Sequence, residues 1–254
     1  MAYTIVGQQP YSIPGVRTSV RTRGINIPVE SLAREDTERM YDLMTESFDN
    51  VKRDKFINDL REKEGVIVLR DEIDNIVGFS TWQVLKSDFC GSKITALFSG
   101  DTIVDESNRG QVVLFREYVR LLHWLMRESG TDTYWFLLSK GIKTYLILPT
   151  FLKSYYPCVD DIGTPNLKDV LDHFAFEKFG RLYDSESGII RFDPPADRLK
   201  PCNTVIPDRL LLNGHVKYFL KRNPGYVNGD ELACITKIEE SNYTNAFRRL
   251  LRPE

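Results

Sequence analysis

The chain has 254 residues, 42% hydrophobic and 28% charged, enough apolar material to bury a full core as one large domain or as one domain with an appendage. A formal net charge of -2 and a sequence pI near 6.0 provide no positive field to draw in nucleic acid or an anionic membrane, so neither is expected as a partner. No stretch approaches the roughly 18 consecutive apolar residues of a membrane span, and the first ten residues lack the charged start and long apolar run of a secretory leader, so the expected compartment is cytoplasmic.

In chain order, residues 1–30 are rich in Gly, Pro and isolated Arg and hold no sustained period, which predicts an irregular arm or one short strand. Leu32, Met40, Leu43, Met44 and Phe48 recur at helical spacing over 31–48, and a shorter helix fits 51–63. The β-branched run 65–70, the turn 71–75 and the run 76–85 predict an antiparallel hairpin. A third strand over 93–104 is interrupted at Ser99-Gly100, where a bulge is expected. The turn 105–110 leads into a helix marked by Val112, Phe115, Tyr118, Val119, Leu122 and Leu125.

A short buried strand is predicted at 133–138, then a partly helical stretch at 143–156 that Pro149 interrupts, then a helix at 167–173. Runs 176–183 and 188–192, joined by Asp184-Ser185-Glu186-Ser187, predict a second hairpin. Past Asp193-Pro194-Pro195, the sequence predicts a helix near 208–222, a strand at 231–238 and a helix at 241–251. The expected organisation is an N-terminal arm (1–30), a central domain (31–193) and a C-terminal extension (194–254), of α/β (α+β) class.

Cys90, Cys158, Cys202 and Cys234 are far apart, with no Cys-x-x-Cys pair and no histidine at metal-ligand spacing, so neither a disulfide framework nor a metal site is expected. His123, His173 and His215 each fall in a segment of helical period and read as structural or surface residues. No Gly-x-Ser-x-Gly elbow is present to support a hydrolase.

The stretch Val104-Asp105-Glu106-Ser107-Asn108-Arg109-Gly110 closes a strand and opens a helix, aiming unpaired N–H groups and the helix's positive end at one spot, a place for an anion. This stretch, within the element order above, resembles the Val-Asp-Pro-x-x-Arg-Gly segment of the GNAT superfamily of acyl-CoA-dependent N-acyltransferases. The resemblance covers about residues 31–193 and implies a mixed, mostly antiparallel central sheet flanked by helices. It implies coenzyme A or an acyl-CoA as donor substrate, with its phosphates at Asn108, Arg109, Gly110, Gln111 and Val112 and its pantetheine along the backbone of Thr102, Ile103 and Val104. A small-molecule amine is the implied acceptor. Asp101 and Glu106 are the candidate bases, and Tyr156, with Tyr155 beside it, the candidate acid. After Arg109-Gly110 the family continues Gly-x-Gly or Gly-x-Ala where this sequence has Gln111-Val112-Val113-Leu114, which keeps open a donor on an acyl-carrier protein, or a binding protein without catalysis. Trp82, Phe89, Phe98, Trp135, Phe136, Tyr145 and Phe151 read as core, with an acyl tunnel as the alternative.

Overall fold

The computed structural model describes residues 22–106, 108, 112–159, 165–192 and 197–252. Its strands are β1 (Arg23–Pro28), β2 (Phe48–Asp49), β3 (Gly65–Arg70), β4 (Ile76–Phe89), β5 (Ser92–Val104), β6 (Asp132–Ser139), β7 (Tyr183–Asp184), β8 (Ile189–Ile190), β9 (Arg198–Leu199) and β10 (Glu231–Lys237). Eight of them form one sheet in the order β1-β3-β4-β5-β6-β10-β8-β7, while β2 and β9 pair separately. Within that sheet β5–β6 is a parallel pair and all other neighbours are antiparallel.

Local chemistry explains the hairpins. Asp71 Oδ1 accepts from the amides of Ile73 (3.1 Å) and Asn75 (2.8 Å), closing the β3–β4 turn. Cys90 and Gly91, both at positive φ (49° and 78°), make the tight reversal between β4 and β5. A parallel β5–β6 pair needs a crossover, which α3 (Val113–Glu128) supplies.

The remaining helices are α1 (Arg34–Ser47), α2 (Arg53–Arg61), α4 (Ile142–Tyr145), α5 (Ile147–Phe151), α6 (Pro165–Phe179), α7 (Pro201–Thr204), α8 (Asp208–Leu211), α9 (Gly214–Arg222) and α10 (Asn245–Leu250). Because strand side chains alternate, the sheet splits cleanly into two faces. Leu97, Trp135, Leu137 and Leu232 point to a core shared with α3, α5, α9 and α10. On the other face Val66, Val68, Phe79 and Ile103 meet Met40, Leu43, Phe56 and Leu60 of α1 and α2. Further along that face, Ala96, Phe98, Phe136 and Ile235 meet Val170, Leu171 and Phe174 of α6.

Three features differ from the sequence expectation. Residues 176–179 continue α6 instead of starting a strand, because the buried stripe Leu167, Val170, Leu171, Phe174 keeps helical spacing, and Gly180 at φ 53° ends the helix. The helix near 208–222 is two, the second capped by Asn213, whose side chain accepts from His215 N and Val216 N. The segment read as a C-terminal extension contributes β10, which lies inside the main sheet between β6 and β8, and the N-terminal arm contributes β1 at its edge.

Since β10 joins two strands of the sheet, Ile235, which is fully buried in it, reports on the whole fold. We expect Ile235→Ala to cost about 2–5 kcal/mol in urea titrations, with a single transition. A two-step unfolding curve with only the second step shifted would instead mean that residues 194–254 fold as a unit of their own.

Candidate active site

The parallel ladder of β5 and β6 runs from Ile94↔Asp132 to Ser99↔Leu137 and stops there. On its other side β5 pairs Ser80↔Thr102 and then Trp82↔Ser99, so Gly100 and Asp101 together face Thr81. This bulge turns the end of β5 away from β6, which continues to Ser139 against β10. Among the described residues, 100–104 therefore pair with β4 alone, and the two central strands fork.

A glycine is needed at the bend. A Cβ on Gly100 would press into the Thr81 hydroxyl and lie 2.7 Å from Cε of Lys63, whose stem crosses the bulge. At the fork a cavity of about 310 Å³ opens, walled by α1, α2, the bulge, the ends of β6 and α6, and the starts of α4 and β10. Its apolar lining includes Phe48, Phe56, Phe98, Phe179 and Phe192.

Asp101 opens onto this cavity while the surrounding protein encloses it. Burial first, then the nearby charges of Asp59 and Asp197, push its carboxyl up from an ordinary 3.8 to about 7, against the opposing pull of Lys140 and Lys63. Lys140 sits among three carboxylates: its Nζ is 2.6 Å from Asp197 and 3.1 Å from Glu231, and Asp101 acts on it electrostatically. Burial alone would drive off its proton, yet Glu231, Asp197 and Asp101 outweigh that and hold the ammonium more firmly than usual. Burial keeps Glu231 above the ordinary range, whereas for Asp197 the adjacent Lys140 overcomes burial and holds it below.

The second group of charges surrounds Phe98. Lys63, whose side chain is fully buried, pairs with Asp59 (2.7 Å), and its Nζ lies 5.9 Å from the Phe98 ring centre. Lys178 Nζ lies 4.6 Å from the same centre and donates to the neutral Gln83 Oε1 (2.7 Å). Burial, and secondarily Lys63, lower its pKa.

On the α3 face, the fork is braced by a buried chain in which Trp135 Nε1 donates to Ser99 Oγ (2.7 Å) and Ser99 Oγ donates to Tyr118 Oη (2.6 Å). Beyond β5, Asp105 carries an Asx turn: its Oδ1 accepts from the backbone and side-chain nitrogens of Asn108 (2.9 and 3.0 Å). The Val112 carbonyl accepts from Arg116 N (2.8 Å), the first turn of α3.

Of the acid–base candidates, Asp101 lines the cavity, and Thr102 lines it beside Asp101. Ile103 is buried against α1 and α2, and Val104 against α3. Glu106 is exposed in the loop and Asn108 is buried there. Arg109, Gly110 and Gln111 lie outside the described residues. Tyr156 exchanges two 2.8 Å backbone bonds with Ile235 and packs beside the α6-side core, away from the cavity lining. Tyr155 is buried, its hydroxyl 3.2 Å from His215 Nδ1. Among the aromatics of the suggested tunnel, Phe98 alone lines the cavity. Sequence reasoning missed Lys63, Lys140, Lys178, Asp197 and Glu231. The only available signal was charge next to predicted strand and helix ends, at Lys140 after β6 and Glu231 opening β10.

No protein-family model matches the chain, and no curated protein matches it significantly. Solved structures are similar to part of it. A GNAT family N-acetyltransferase from Escherichia coli, in complex with CoA, aligns at 21% identity over 54% of this chain and 72% of its own, with a TM-score of 0.38. A probable N-acyltransferase from Enterococcus faecalis aligns at 12% identity over 53% of this chain and 33% of its own, with a TM-score of 0.40. Glucosamine-6-phosphate N-acetyltransferase from Arabidopsis thaliana aligns at 14% identity over 50% and 87%, with a TM-score of 0.35. The present chain thus spans about a third of the length of the Enterococcus protein. The mixed, mostly antiparallel sheet with helices on both faces is the fold class that the sequence resemblance implies.

The Asp101 environment has a measurable signature. Folding raises its pKa from 3.8 to about 7, so the protonated carboxyl stabilises the fold fully below about pH 4, and that contribution is lost as pH rises through 7. Asp101→Asn should therefore raise the melting temperature at pH 8 but leave it nearly unchanged at pH 4. Carboxyl carbon NMR of the parent protein should show one aspartate titrating near 7, and a titration near 4 would remove Asp101 as a tuned group.

Proposed function

We propose that this protein is an N-acyltransferase that moves an acyl group from a coenzyme A thioester to the amine of a small molecule. The observation that carries this reading is the fork, which sets the unpaired β6-side edge of residues 100–104 beside an acid whose pKa lies near neutrality. An amide-bearing arm such as pantetheine pairs with an open strand edge of this kind as an added strand would. The α3 N-terminus beyond the Asp105–Asn108 turn suits an anion at the other end of the donor.

The chemistry needs a free amine, because an ammonium has no lone pair. Asp101, with a pKa near 7, takes a proton from the acceptor's ammonium at neutral pH. The amine nitrogen then attacks the thioester carbonyl carbon, forming the C–N bond. As the tetrahedral adduct collapses, the C–S bond breaks, and the proton shed by the nitrogen ends on the departing thiolate. The products are an amide, coenzyme A thiol and a proton held by Asp101, which returns to solvent. Glu106, exposed in the loop, and Tyr156, beside β10, have no step in this scheme.

Calorimetric titration with coenzyme A, acetyl-CoA and a long-chain acyl-CoA is the direct test. Saturable binding weakened about tenfold by Arg109→Ala is expected, by analogy with the loss of a charge-assisted contact to phosphate. Turnover should rise with pH to a plateau above about 7, following Asp101. Asp101→Asn should lower kcat by roughly 10²–10⁴, abolish that pH limb and leave donor binding intact. Failure to bind any of the three thioesters would overturn the reading.

A further inference from the structure

Five lysines line the cavity, of which Lys52 and Lys55 are exposed while Lys63, Lys140 and Lys178 are buried or half-buried. Lys63 is matched by Asp59, and Lys140 by Asp197 and Glu231. Lys178 is different. Among the described residues it makes no ion pair, and its one hydrogen bond goes to the neutral amide of Gln83. Asp59 and Glu62 act on it only at longer range. Its ammonium rests over Phe98 with Lys63 on the same ring, so two cations meet there with one carboxylate in contact.

The opposite imbalance exists at the bulge. Asp101, Asp197 and Glu231 gather around the ammonium of Lys140, while Lys63, already paired with Asp59, acts on Asp101 without an ion pair to it, and Lys55 reaches Asp197 at 3.9 Å from a half-exposed position. Phe98 and Asp101 are three residues apart on β5, so the two regions are within about 10 Å of each other along one strand. One wall is short of an anion and the other short of a cation, and a small molecule bearing both satisfies the two at once. Exposed Lys52 and Glu62 at the rim carry charges already solvated and change neither imbalance.

We infer that the acceptor is a zwitterionic amine, its ammonium directed to Asp101 and its anionic group, a carboxylate or a phosphate, held by Lys178. This rests on the acyl-transfer reading of the same cavity. A lysine bonded to an uncharged amide and stacked on a ring is held in place yet still short of an anionic partner, which is what a specificity-determining residue at a recognition site requires. The phenyl rings of Phe48, Phe56, Phe179 and Phe192 leave the middle of the acceptor an apolar environment.

The test uses matched pairs that differ by the anionic group alone: L-phenylalanine against phenethylamine, and O-phosphoethanolamine against ethanolamine, each with acetyl-CoA and with the longer acyl-CoA. In at least one pair the anion-bearing amine should have kcat/KM about tenfold or more above its partner, the worth of one charge-assisted bond. Which pair responds separates carboxylate from phosphate. Lys178→Met, which keeps an apolar stem over Phe98, should collapse that ratio to within about threefold, and Lys178→Arg should restore much of it. Equal or better turnover of the amines that lack the anionic group, or a ratio insensitive to Lys178→Met, overturns the inference while leaving the acyltransferase reading intact. If thioesters bind but no amine is acylated, calorimetric titration of the four amines still decides. Binding of an anion-bearing amine that Lys178→Met weakens supports the acceptor site, and binding of none overturns it. Absence of thioester binding falls on the acyltransferase reading instead.

Discussion

Two residues of β5, Gly100 and Asp101, face a single residue of β4, and the functional half of the molecule is arranged around that mismatch. A strand whose residues match one neighbour throughout can keep both its neighbours. An extra residue tilts the chain, so β5 holds β4 and lets β6 go after Ser99. The fork opens a cavity in what would otherwise be a continuous sheet. It also points an aspartate, which would face a packed helix in a regular strand, into that space. The Ser99–Tyr118–Trp135 chain at the last shared residue pair keeps the fork from sliding along the ladder, since each partner would be stranded without its bond.

Charge is distributed around this cavity at a cost to stability. Lys63, Lys140 and Glu231 are largely removed from water, and buried ion pairs seldom recover their full desolvation penalty. Such a group of charges holds relative positions more than it stabilises the fold. Lys140 draws together the end of β6, the start of β10 and residue 197, three segments far apart in the chain. Stability comes instead from the apolar cores on the two faces, where Trp135, Phe115, Phe136, Phe174 and Phe219 are almost wholly buried.

Much of the fold could be read along the chain because the strong signals are local. β-branched runs with an Asp-rich turn identified β3 and β4, helical spacing of Leu and Phe identified α3, and a lone Gly inside a strand run identified the bulge. The aromatic run near Phe176 has strand propensity but stays helical, because the stripe that precedes it is already committed to a core. The place of β10 could not be read, since nothing in residues 231–237 specifies which strands it joins. The candidate site was legible to the same degree. Asp101 was found because it is an acid near the end of a predicted strand, while Lys63, Lys140, Lys178, Asp197 and Glu231 come from five separate elements or their flanks and meet only in three dimensions.

The sheet's connectivity also bears on how the chain comes into being. Ribosomal synthesis delivers β1, β3, β4, β5 and β6 in order, and these can pair as they emerge, but β7 and β8 can pair only with each other until β10 arrives between them and β6. From the end of β6 to the synthesis of β10, that side of β6 is an open edge with buried-type residues such as Trp135, Phe136 and Leu137. The nascent protein therefore carries a sticky flank for as long as about a hundred residues take to be made, roughly 5–20 seconds at ordinary elongation speeds. During that interval any other open strand, such as one on a nearby copy on the same polysome, competes with β10 for the place beside β6.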